Sequence, residues 1–149
     1  MPFDYDDLTK HFGLIWPVHL RGFTELLIVM RKHFGGDLDL MLVLAIVGSR
    51  TLPSRRVDGL SYAEFMDGRR RDWRPDPINV QSISDCSGIP RETVRRKVGA
   101  LQASGWIVRH EEGYLMASEA AARDLAPVTE ATFQYLAAIG RCCVDAVSG

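Results

Sequence analysis

Apolar residues recur in steps of three and four along most of the chain, the spacing that predicts amphipathic helices. Residues 5–12 read as a short first helix, with Asp6 and Asp7 at its positive N-terminal end and Gly13 closing it. Pro17 suits the first position of a second helix, in which Val18, Leu20, Phe23, Leu26, Leu27, Met30 and Phe34 give a wide apolar face as far as Gly35 and Gly36. Asp37 is placed to cap a third helix, apolar on every side from Leu40 to Val47, which belongs at the centre of a fold. Residues 82–86 then predict a short helix, and Ser87 and Gly88 a turn. From Pro90, Val94, Val98 and Leu101 fall at i, i+4 and i+7 on one face of a further helix. Gly105 ends it, and residues 106–110 and 114–117 form a two-stranded ribbon around Glu111, Glu112 and Gly113. Ser118 caps a helix through Asp124. Pro127 starts a last one, where Phe133, Leu136, Ala137, Gly140, Val144 and Val147 repeat at near-helical spacing.

The helix after Pro90 has a second face of different chemistry. It carries Arg91, Glu92, Arg95 and Arg96, flanked by Thr93 and Lys97, which suits a helix lying against phosphates and base edges. Glu92 either accepts from a cytosine amine or pairs with Arg95 or Arg96 at helical spacing. The net charge of −1 hides an uneven distribution: residues 1–49, 50–109 and 110–149 carry −2, +5 and −4. The positive segment is the one that holds this helix, as expected of an electrostatic footprint for DNA. Helix, glycine turn, helix and ribbon together are the layout of a winged helix-turn-helix.

The stretch SGIPRETVRRKVGALQASGWIVR, followed by Gly113 and Tyr114, resembles the helix-to-wing signature of bacterial winged helix-turn-helix transcription regulators. With its helical flanks the whole chain is similar in layout to the multiple-antibiotic-resistance-type (MarR-like) regulators. The resemblance implies a homodimer formed through the terminal helices, a recognition helix in the major groove and a wing along the backbone or minor groove. It also implies groove contacts from Arg91, Thr93, Arg95 and Arg96, and phosphate contacts from Ser82 and Arg109. The wing tip departs from the pattern, since Glu111 and Glu112 stand where a basic loop would serve DNA better. The connection over residues 50–77 is long, and its Arg69, Arg70, Arg71 and Arg74 are candidates to replace wing contacts on the backbone.

The expected organisation is one mainly α domain over 1–149. Dimerisation helices occupy 1–36 and 118–149, and the winged helix-turn-helix with its basic connection occupies 37–117. The expected function is a double-stranded DNA-binding regulator, a homodimeric repressor in the cytoplasm, with no catalytic residue, metal or cofactor and an effector left unspecified. A protein-interaction module and a replication or architectural DNA-binding factor are the other readings. His11, His19, His33 and His110 lie apart without metal-site spacing, and Gly35 and Gly36 lack the lysine of a phosphate loop. Asp4, Asp6 and Asp7 lack the glycine and distal glutamate of a calcium loop. The run from Leu38 to Val47 is about half the ~20 residues a membrane span needs. Cys86 and the adjacent Cys142 and Cys143 form no spaced disulfide framework and are expected to be reduced. Trp16, His19, Phe23 and Trp106 are expected in the core rather than around an effector.

Overall fold

The computed structural model describes residues 3–52, 57–68 and 74–149, and over them the chain is mainly helical with one small antiparallel sheet. The helices are α1 (Tyr5–Lys10), α2 (Phe12–His33), α3 (Leu38–Thr51), α4 (Tyr62–Met66), α5 (Val80–Ser87), α6 (Arg91–Ala103), α7 (Glu119–Asp124) and α8 (Ala126–Ser148). The strands are β1 (Ile107–Arg109) and β2 (Leu115–Ala117). They form two compact units. One is made by the two ends of the chain, up to residue 36 and from residue 126, and the other by residues 37–125. The short helix expected to belong with the C-terminal extension thus falls in the central unit.

In the terminal unit α1 opens with a reciprocal cap. Asp4 accepts from the Asp7 backbone N–H at 3.0 Å, and Asp7 accepts from that of Asp4 at 3.1 Å. His11 ends α1 and begins α2, so the expected break at Gly13 and start at Pro17 both move earlier in the chain. Pro17 lies inside α2, where it removes the bond to the Gly13 carbonyl. Gly13 is exposed, which leaves that carbonyl open to water, and Phe12 stacks on Trp16 across the same turn at 5.5 Å. Helix α8 runs antiparallel to α2: Tyr135 lies against Gly22, and further along Cys142 donates to the Leu14 carbonyl at 3.6 Å. A Cβ on Gly22 would stand 3.0 Å from the Tyr135 ring, so a glycine here permits the close approach.

Two long helices have too few faces to cover each other. Phe12, Leu14, Trp16, Leu20, Phe23 and Ile28 on α2, and Phe133, Leu136 and Val144 on α8, all remain 39–62% exposed. Trp16, His19, Phe23 and Tyr135 form a ladder of rings along this surface, with successive centroids 4.9–6.0 Å apart. Trp16 and Phe23 are therefore surface residues and not the core positions expected. Trp106 belongs to the other unit, where its indole N–H donates to Asp124 at 2.8 Å. By length and composition α2 is long and apolar enough to cross a membrane, with Arg21 and Glu25 near its middle.

The central unit has its own core of Val43, Val47, Ile78, Ile83, Val94, Val98, Leu101, Ile107 and Leu115, each at most 3% exposed. Helix α3 supplies Val43, Leu44 and Val47 to it while Leu38 and Leu42 stay 49% and 40% exposed, so this helix is buried along one side only. It packs against α5, α6 and β2. Its last residue, Thr51, accepts from the Ala117 backbone N–H at 2.9 Å, which ties the sheet to the helix end. The strands pair with Ile107 opposite Ala117, Val108 opposite Met116 and Arg109 opposite Leu115. Ile78 accepts from the Leu115 N–H at 2.9 Å and so borders the outer edge of β2 just before α5 begins.

Candidate nucleic-acid interface

Local chemistry sets the two helices at the centre of the site. Asn79 caps α5, its side-chain oxygen accepting from the Ser82 N–H at 2.9 Å and from the Ser82 hydroxyl at 3.1 Å. Gly88 closes α5 at φ +76°, a left-handed conformation that costs a side-chain-bearing residue about 1–2 kcal/mol. The turn that follows is held from both sides: the Ser84 hydroxyl donates to the Ile89 carbonyl at 2.7 Å, and the Ile89 N–H donates to the Ser87 hydroxyl at 3.1 Å. Ile89 is buried beneath it, and Pro90 sets the entry to α6.

Helix α6 then divides along its length. Val94, Val98 and Leu101 are at most 3% exposed, whereas Arg91, Glu92, Arg95, Arg96, Gly99 and Ala100 face outward. Three guanidiniums and one carboxylate leave two net positive charges on that face. Glu92 and Arg95 are joined side by side: Arg95 Nε donates to Oε2 of Glu92 at 3.0 Å and Nη2 donates to Oε1. The hydrogen bond from Arg95 holds the Glu92 carboxyl below its ordinary range, aided by the charges of Arg95, Arg96 and Arg91, and Glu92 in turn pushes the guanidinium up. Arg96 reaches the Thr93 hydroxyl at 3.5 Å. Of the two readings open for Glu92, pairing is the arrangement present.

The other candidate residues are distributed less evenly. Lys97 is not on the open face. Its ammonium meets Asp37, the residue that caps α3, in a pair whose side chains are 23% and 33% exposed. Lys97 therefore ties α6 to the start of α3, a link between residues 60 positions apart that spacing alone does not reveal. Arg109 donates to the Gly113 carbonyl at 2.6 Å and braces the ribbon turn, where His110 and Tyr114 stack with ring centroids 4.3 Å apart. Arg74 lies 3.8 Å from Glu112 at the ribbon tip, so part of the acidic tip is screened by the connection itself. Arg69, Arg70 and Arg71 lie outside the described residues. Among the described residues no cluster of histidine, cysteine or carboxylate side chains is arranged to hold a metal.

Cys86 is exposed, Cys142 half-buried and Cys143 buried, and all three are unbridged. Burial, and then the neighbouring Cys142, push the Cys143 thiol up, away from the reactive thiolate. The chain matches no family model, no curated protein and no solved structure.

Proposed function

We propose that this chain is a winged helix-turn-helix DNA-binding regulator, MarR-like in layout, which acts as a homodimer and represses by occupying a promoter. The observation that carries the reading is α6: an arginine face turned outward by a buried Val94, Val98 and Leu101 face and held by the Gly88 turn. In this reading α5 and α6 are the helix-turn-helix and β1 and β2 the wing. Arg91 to Arg96 span about 7.5 Å of helix axis, which fits inside a major groove about 12 Å wide. Ser82 and Arg109 would lie toward phosphates. No bond is made or broken, and occupancy alone blocks the promoter.

The exposed rings and aliphatic side chains of α2 and α8 support self-association, because two helices cannot bury these faces between themselves. A second copy of the chain would cover these faces. It would set two α6 helices about 34–36 Å apart, matched to a palindromic site.

The test is fluorescence anisotropy with duplex DNA from upstream of the protein's own gene, titrated across salt, alongside sedimentation of the protein alone. Binding should weaken with salt at a log–log slope of about −0.9 per phosphate contact and fail in an Arg95→Ala/Arg96→Ala variant. The protein should sediment as a dimer at micromolar concentration. A monomer removes the dimer part of the reading, and absence of binding to any duplex at low salt removes the DNA part. In that second case the acidic ribbon tip favours a protein-interaction module.

A further inference from the structure

The Glu92–Arg95 pair allows the arginines of α6 to be told apart. A guanidinium has two edges that present paired N–H donors: the side edge from Nε and one Nη, and the end edge from the two Nη atoms. In this structure Glu92 takes the side edge through Nε and Nη2. The end edge, with one N–H each from Nη1 and Nη2, stays directed away from the carboxylate. Two acceptors side by side in the major groove, O6 and N7, are offered by guanine.

We propose that Arg95 reads a guanine in the DNA site and that Glu92 is the residue that positions it for this. The proposal rests on the DNA-binding reading above. Charge separates Arg95 from its neighbours. A guanidinium already neutralised by a carboxylate gains little from a phosphate, and the carboxylate itself is repelled by the backbone. The pair therefore belongs over base edges, whereas Arg91 and Arg96 are left to the groove walls. Position agrees, because Arg95 lies in the second turn of α6, within the N-terminal part of a recognition helix that meets bases. The side chains of Glu92 and Arg95 are 68% and 65% exposed, so the pair contributes little to folding. What it does supply is a guanidinium with fewer rotamers to lose on binding.

The test uses the full chain as wild type, Glu92→Ala, Arg95→Ala and Arg91→Ala, each incubated with a randomised duplex library, with the bound fraction sequenced. Anisotropy is then measured on the enriched duplex and on its guanine-to-adenine variant. Wild type should prefer guanine at one position per half-site by about 5- to 150-fold, the range for one bidentate base contact. Arg95→Ala should lose that preference, and Arg91→Ala should keep it while binding all sequences more weakly. Glu92→Ala should lower the preference several-fold, bind random duplex more tightly, and steepen the salt slope by about 0.9 as Arg95 turns to phosphate.

Retention of the base preference in Arg95→Ala, with its loss in Glu92→Ala, would assign the readout to Glu92 and a cytosine and overturn the proposal. Duplex binding by wild type without any base preference would overturn it while leaving the DNA-binding reading intact. Failure of wild type to bind any duplex would remove both.

Discussion

Asp37 holds two elements at once, and the two roles separate by substitution. One carboxylate oxygen accepts from the Leu40 N–H at 2.9 Å and caps α3, and the other meets the ammonium of Lys97 on α6. Lys97→Met removes only the second. With side chains 23% and 33% exposed, the pair lies between a surface ion pair and a buried one. Its loss should therefore cost about 1–2 kcal/mol. Asp37→Ala also removes the cap, for a total of about 2–3 kcal/mol. In a chain of this size 1 kcal/mol lowers Tm by about 2–4 °C. Thermal melts followed by far-ultraviolet circular dichroism should thus show a fall of about 2–8 °C for Lys97→Met and about 4–12 °C for Asp37→Ala. The hydrogen bond from Lys97 holds the Asp37 carboxyl below its ordinary value of 3.8, against the opposing effect of burial. A depressed carboxyl pKa stabilises the fold fully above that ordinary value, and the contribution disappears as pH falls through the lower, folded-state value. The gap between wild type and Lys97→Met should close on that side of pH 3.8 and stay open at neutral pH. Equal melting temperatures at neutral pH, or a gap that acid does not narrow, would refute the reasoning.

Three further predictions concern Gly99 and the cysteines. Gly99 is helical, exposed and has no atom within 4 Å of where a Cβ would stand, so Gly99→Ala should stabilise the central unit by about 0.5–1 kcal/mol in denaturant unfolding. Gly99→Trp, on the same outward face as Arg95 and Arg96, should leave unfolding nearly unchanged yet weaken duplex binding about tenfold or more; unaltered affinity would take α6 out of the groove. Alkylation with iodoacetamide at mildly alkaline pH, read by mass spectrometry, should modify the exposed Cys86 first and Cys143 last. Early labelling of Cys143 would contradict its burial and raised thiol pKa.

What could be read from sequence was what is local. The caps Asp37, Asn79 and Ser118 act on N–H groups three residues away, and two of them, Asp37 and Ser118, were foreseeable from residue type before a helical pattern. The apolar spacing of α6 and the Gly88 turn are equally local, and so is the pairing of Glu92 with Arg95. Pro17 misled because a preference for the first helical turn does not exclude an interior position: α2 begins five residues earlier at Phe12, and Phe12 stacks on Trp16 across the turn that lacks the Pro17 bond. Apolar periodicity cannot say whether a face is covered by its own chain. Phe133, Leu136 and Val144 keep the expected rhythm and stay exposed, while Val94 and Val98 keep it and are buried. The engagement of Lys97 by Asp37 was invisible because it depends on how α3 and α6 pack, and charge on a helix flank suggests open solvent or a phosphate before it suggests a partner 60 residues away.

The division of the chain into an inner segment and a unit built from both ends sets an order of events during synthesis. Residues 37–125 have everything their core requires once they have emerged from the ribosome, and can collapse around Ile83 and Val94 while translation continues. Helix α2 is made first yet must wait for its partner until α8 follows, more than a hundred residues later at Leu14 and Cys142. Throughout that interval the side of α2 that α8 will cover, at Leu14 and Gly22, stands open as well as the aromatic side that remains exposed in the finished fold.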